Sequence, residues 1–224
     1  MKRLLMSAEP QRRISSFCVL TASLLFTFVA RADVLVTPNN MATSDATLGS
    51  GMLRAATYRE QSIYGAVHFP SDIALVITEL RFRPDRSSGN AFSTTIENIQ
   101  VNLSTTTRNP DGLSFTFANN VGPDDTVVFS GPLTCSSRFN GPPSGPKEFD
   151  IVIPLTTPFL YDPAAGNLLL EVRNFSGSSV ASPLSGQGIS GDAASRLGGN
   201  LNSATGGSDT AVEALQIVYT PTNQ

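Results

Sequence analysis

The nearest approach to a catalytic pattern in this chain is Glu148-Phe149-Asp150-Ile151-Val152-Ile153. An E-x-D-x-x-E run on one strand sets three carboxylates on one face, as retaining glycosidases of the jelly-roll type use them. Here isoleucine occupies the third position. Retaining hydrolysis needs a second carboxylate ~5 Å from the acid, so the motif is broken and no catalytic residue is assigned. His68 is the single histidine, expected on a strand over 62–69. One imidazole cannot build a multi-histidine metal site, and no G-x-S-x-G elbow accompanies it. Cys135 sits among Pro, Gly and Ser with no activating base in its sequence neighbourhood, and is expected to be a small buried filler.

Three further patterns have the letters of a site without its context. Gly186-Gln187-Gly188-Ile189-Ser190-Gly191 matches the dinucleotide fingerprint. That fingerprint works only where a strand turns into a helix, and this stretch is Gly/Ser-rich with no helical pattern after it. Asp124 and Asp125, in a turn before Thr126, are candidates for calcium, which takes six to eight oxygens on flexible loops. The D-x-D-x-D-G pattern is missing, so a solvated acidic turn is the competing reading. Apart from that calcium possibility, no cofactor is expected. Sugar recognition rests on aromatic faces. The chain has no Trp, leaving Tyr58, Tyr64 and Tyr161, each equally suited to core packing.

The segments that would position these residues begin after an export signal. Lys2, Arg3, Arg12 and Arg13 precede an apolar run from Ile14 to Val29, and Ala30-Arg31-Ala32 has the small-x-small form of a cleavage site. This layout predicts a secretory signal over 1–32, cut between Ala32 and Asp33. The apolar run is short of the ~20 residues a spanning helix needs, so the mature chain is expected to carry no membrane span. Five of the 15 basic and one of the 18 acidic residues lie in 1–32, leaving 10 against 17 and a net charge of −7. An acidic domain is a poor partner for nucleic acid, whose phosphates demand basic clusters.

The remaining 192 residues suit one domain over 33–224. Period-two alternation marks strands at 78–83, 98–103 and 149–155, placing Ile99, Val101, Leu103, Phe149, Ile151, Ile153, Leu168 and Leu170 inward. Further strands are expected at 34–37, 62–69, 126–130, 168–173 and 214–219. Pro84-Asp85, Asn109-Pro110-Asp111-Gly112, Gly122-Pro123 and Asp162-Pro163 supply the reversals between them. One or two short helical turns, around 113–119, complete the expectation. Between Ser176 and Asp209, 17 of 34 residues are Gly or Ser. That region is expected to form long loops around a weak strand near 194–197. The fold class is therefore all-β: a single β-sandwich, jelly-roll-like.

Several segments taken together carry a family likeness: Tyr58-Arg59-Glu60-Gln61-Ser62-Ile63-Tyr64, Ile77-Thr78-Glu79-Leu80-Arg81-Phe82-Arg83, Ile99 through Thr106, Asn109 through Ser114, and Pro158 through Val172. In this order they resemble the β-sandwich body of exported bacterial proteins of the PEP-CTERM type, found in Verrucomicrobia and Planctomycetes. The resemblance implies envelope or extracellular-matrix biology and carries no catalytic residues. The family's sorting tail is not matched by Tyr219-Thr220-Pro221-Thr222-Asn223-Gln224, which points to free secretion. The expectation is an exported, non-catalytic surface or matrix protein whose partners are extracellular polysaccharide or envelope components. A polysaccharide-binding module is the alternative, and an extracellular hydrolase the third reading.

Overall fold

Alternating side chains decide which face of each strand is buried, and β4 (Leu75–Phe82) is the clearest case. Leu75, Ile77, Leu80 and Phe82 are buried, with the phase change falling at a register shift between Ile77 and Glu79. The structure is a computed structural model that describes residues 31–53 and 55–222; the expected signal segment up to Ala30, including Cys18, lies outside the described residues.

The remaining strands are β1 (Asp33–Thr37), β2 (Leu48–Ser50), β3 (Tyr58–Tyr64), β5 (Phe92–Thr106), β6 (Thr126–Ser137), β7 (Ile151–Tyr161) and β8 (Asn167–Asn174). They are followed by β9 (Leu184–Gly188), β10 (Ala194–Asn200), β11 (Gly207–Asp209), β12 (Ala211–Glu213) and β13 (Leu215–Pro221). One sheet runs β1-β13-β4-β7, a second β11-β10-β3-β8-β5-β6, and a small third β12-β9-β2. All pairings are antiparallel. Without β2 and the β9–β12 segment, the body strands alternate between β1-β13-β4-β7 and β3-β8-β5-β6. That is the order of a jelly roll, two sheets closed over one core. Pro154 and Pro158 fall in β7, an edge strand, the place in a sheet where proline is tolerated.

The core between the two large sheets holds Ile99, Val101, Leu103, Ile151, Ile153, Leu168 and Leu170, all fully buried as the alternation predicts. Phe149 departs from that prediction. Strand β7 begins only at Ile151, paired with Phe82, and Phe149 is half-buried with its ring 4.9 Å from the Arg83 guanidinium. The cause is local: Arg138 N–H donates to Asp150 Oδ2 and Glu148 N–H to Asn140 O, folding 138–150 on itself before it can pair.

Two other expectations are corrected. The strand over 62–69 stops at Tyr64, because Gly65 N–H is captured by Ala193 O at 2.8 Å and a 3-10 turn follows over Ala66–His68. His68 is therefore on a turn. Among the described residues there are four such turns, at Asn39–Ala42, Ala66–His68, Arg86–Ser88 and Phe117–Asn119, more than the one or two expected.

The Gly/Ser-rich region 176–209 is also more ordered than loops around one strand. The expected strand is β10, and β9 and β11 accompany it. Backbone ladders need no apolar side chain, so a glycine-rich segment can add to an existing sheet edge. Strand β10 does this along the whole of β3, from Ala194 opposite Tyr64 to Asn200 opposite Tyr58. The segment from β9 to β12 is thus an insertion between body strands β8 and β13.

Candidate functional site

Strand β3 is polar on both faces although it is interior to its sheet. Arg59, Gln61 and Ile63 face outward; Tyr58, Glu60, Ser62 and Tyr64 face the insertion. Outward, Glu171 of β8 accepts from Arg59 Nη2 at 2.7 Å, from Gln61 Nε2 at 2.5 Å and from Arg173 Nε. Arg59 in turn lies 4.3 Å from the Phe117 ring, and Asn120 Nδ2 donates to Gln61 Oε1 at 3.0 Å. Leu113, Phe117 and Val121 pack on Ile63, Leu169 and Leu197 around this cluster.

The inner face is different. Glu60 is 2% exposed and Glu213, from β12 of the insertion, is fully buried. Glu213 lies near enough for its charge to act on the Glu60 carboxyl. Ser62 Oγ donates to Glu213 Oε2 at 3.2 Å, and Tyr64 Oη donates to Glu213 O at 3.1 Å. Arg196 of β10 stands between, with Nη1 3.9 Å from Glu60 Oε2 and 3.8 Å from Glu213 Oε1. Its Nε and Nη2 are committed to Asp209 of β11 at 2.9 and 3.1 Å. Among the described residues Glu60 Oε1 has no hydrogen-bond partner. Burial first, and the charge of Glu213 second, push the Glu60 carboxyl well above the usual glutamate range. Burial and Glu60 push the Tyr58 phenol up to about 12.

Tyr58, Glu60, Arg196, Gly51 and Ala55 enclose a niche of about 330 Å³. Gly198 is needed beside it: a Cβ there would stand 1.9 Å from the Tyr58 hydroxyl. The niche presents one carboxyl group, a phenol and a guanidinium.

A second concavity, of about 500 Å³, is lined by Arg81, Phe92, Arg138, Glu148, Phe149 and Asp150 among others. The Phe149 ring lies between the buried Arg83 and this cleft. Glu148 accepts from Asn140 Nδ2 at 3.2 Å and Asp150 Oδ2 from Arg138 N–H at 2.8 Å, while Asp150 Oδ1 has no hydrogen-bond partner among the described residues. The third position of the would-be triplet, Ile153, is in the core.

The other residues singled out by sequence are dispersed. Asp124 Oδ1 accepts from Thr105 N–H at 2.7 Å, and both oxygens of Asp125 accept from Asn102 Nδ2 at 3.0 and 3.1 Å. Each calcium candidate is thus engaged by a different residue of β5, and no group of three metal-ligating side chains converges among the described residues. His68 Nε2 lies 2.9 Å from Asp192 O, and burial lowers its pKa. Cys135 is fully buried, its thiol pushed up to about 12 by that burial, and is the structural filler expected. Gly186–Gly191 covers the end of β9 and the turn after it, with no helix following. Tyr64 and Tyr161 are buried; Tyr58 lines the niche.

The chain is a jelly-roll β-sandwich with an insertion whose one buried acid meets an acid of the body. Comparison with known protein families, with curated proteins and with solved structures finds no match.

Proposed function

We propose that the protein is an exported, non-catalytic β-sandwich of the cell surface or extracellular matrix. The observation that carries this reading is the state of the Glu148–Ile153 segment. Asp150 Oδ2 accepts a loop N–H, Glu148 accepts from Asn140, and the position a third carboxylate would need is filled by a core isoleucine. Support for export comes from the sequence signal and from the place where the fold begins. Strand β1 starts at Asp33, opposite Tyr219, so cutting after Ala32 leaves every strand whole. The acidic net charge of the remaining chain is in keeping with a solvated extracellular module. No helix among the described residues is long and apolar enough to cross a membrane.

The test is to recover the protein from its native host, fraction by fraction, and sequence its amino terminus. Extracellular or envelope material beginning at Asp33, inert on polysaccharide, ester and peptide panels, is the expected result. Turnover abolished by Glu148→Ala or Asp150→Ala would replace this reading with the hydrolase.

A polysaccharide-binding module is favoured by one feature, the cleft beside Phe149. It combines an aromatic ring backed by a guanidinium, planar Arg and carboxylate groups suited to vicinal hydroxyls, and an acceptor, Asp150 Oδ1, lacking a donor. A glycan array separates the two readings. Selective binding that disappears in Phe149→Ala supports the module, and its absence supports the purely structural role.

A further inference from the structure

The edges of the sheets are not alike. Strand β7 carries Pro154 and Pro158, and proline cannot donate to an added strand. Strand β6 carries Gly131-Pro132, and β7 lies against it, Thr156 Oγ1 donating to Val128 O at 3.0 Å. Strand β11 is three residues long and ends on Asp209, which Arg196 holds at 2.9 Å. The edges of the small sheet, β2 and β12, are three residues each. Short strands, prolines and charges are the devices that keep a sheet edge from recruiting another strand. Strand β1 has none of them at its centre. Its run Asp33-Val34-Leu35-Val36-Thr37 contains no proline or glycine, pairs with β13 on one side, and has no strand on the other among the described residues. That open side is one wall of a groove of about 710 Å³. Val34, Leu35 and Val36 all line it; neighbours on a strand point to opposite faces, so what the three present together is the strand's edge. Val67, with His68 and Phe69, forms the facing wall. Val34 and Val67 are 56% and 74% exposed. The Asn39 amide, turned to satisfy its neighbours, donates to Val36 O at 3.0 Å, and a carbonyl has a second lone pair to offer.

We propose that β1 pairs antiparallel with β1 of a second copy across a two-fold axis, joining the two four-stranded sheets edge to edge. The strand is self-complementary for this. Centred on Leu35, antiparallel pairing sets Asp33 opposite Thr37 of the second copy and Val34 opposite Val36. Parallel pairing would instead set Asp33 beside Asp33, two like charges in register. The guarded state of the other edges is what selects a second copy: the one unguarded strand this molecule can offer to β1 is another β1. Each copy has one such edge, so a single pairing uses both and closes at a dimer, leaving nothing for a third chain to extend. Pairing gives the free main-chain groups of the edge their partners. It also withdraws the exposed valines of the groove from water.

Sedimentation equilibrium of the protein recovered from its native host tests this, whichever amino terminus that protein carries; the terminus bears on export and the mass on pairing. The mass should rise from one chain to two with concentration and stop there. Val34→Lys puts a charge at an exposed position of the open edge, so the fold keeps its circular dichroism while the dimer weakens about tenfold or more. Leu160→Lys is the control, a 60% exposed residue on the guarded edge β7, and should leave the dimer as it is. Amide hydrogen exchange of the wild type needs no variant: protection of Asp33–Thr37 should increase with protein concentration, and that of Ile151–Tyr161 should not. A wild-type chain that stays single at its highest soluble concentration overturns the proposal and leaves the groove to a different partner. A dimer as tight in Val34→Lys as in wild type, or exchange at β1 that ignores concentration, overturns it as well by placing the contact on another surface.

Discussion

Glu171 and Glu60 sit one rung apart on neighbouring strands, Glu171 opposite Gln61 and Glu60 opposite Val172. They are 3% and 2% exposed. Burial alone does not distinguish them; the donors around them do. On the outer face Glu171 receives Arg59, Arg173 and Gln61 directly. The arginines keep their charge across the accessible pH range, so this cluster is a permanent fastening. On the inner face Glu60 finds a second acid and an arginine that has turned to Asp209. The same sheet therefore carries one carboxylate held by direct cationic contacts and one, Glu60, whose charge is disfavoured by burial and by a neighbouring acid.

The largest effect is expected where a buried carboxylate would have no partner at all. Ile151→Asp places one in the core beside Leu80 and Phe82, and should cost more than ~4 kcal/mol and unfold the domain. Circular dichroism like that of wild type would refute the inward assignment of β7. Next, Glu171→Ala leaves Arg59 and Arg173 without their anion and should cost ~3–5 kcal/mol, as breaking buried pairs does. Urea denaturation reads this; a loss under ~1 kcal/mol would reduce the outer cluster to a surface network.

The third expectation concerns pH. In the folded chain Glu60 holds its proton well above the ordinary glutamate range, mainly because it is buried, and in the unfolded chain it returns to that range. The folded state thus binds more protons. Its advantage is complete below the ordinary range and is lost as pH rises through the folded value. Wild-type melting temperature should decline over that rise, and Glu60→Gln should flatten the decline; parallel curves for both proteins would remove Glu60 from the account. The smallest effect is that of Ser62→Ala, which deletes one hydrogen bond to Glu213 and should cost ~0.5–1.5 kcal/mol, measurable in the same urea titration.

The sandwich was legible because inward residues such as Leu80, Phe82, Ile99 and Val101 alternate with polar neighbours, and because Pro/Gly pairs mark the reversals. Of the insertion only β10 was, as a weak strand near 194–197; β9 and β11 were not, because they are held by main-chain ladders that glycine and serine make as well as any residue, leaving no apolar period to read. Phe149 had the right period but lies in a loop whose side-chain bonds override it. The buried pair of acids was missed for a different reason. Glu60 and Glu213 are far apart in sequence, and neither belongs to a catalytic or metal-binding motif. The available signals were a lone acid in the apolar run Ala211-Val212-Glu213-Ala214-Leu215, and a strand, Tyr58–Tyr64, too polar for its flanking turns to explain.

The pairing of β1 with β13 has a consequence for the order in which the molecule is made. Strand β13 lies between β1 and β4, so the first strand of the fold has no neighbour until the last has been synthesised. Closing that sheet joins the two extremes of the sequence, the kind of distant contact that slows folding. Under the proposed export, such a delay keeps the sandwich open while the final strand is still on the near side of a translocation channel, and lets it shut once that strand arrives.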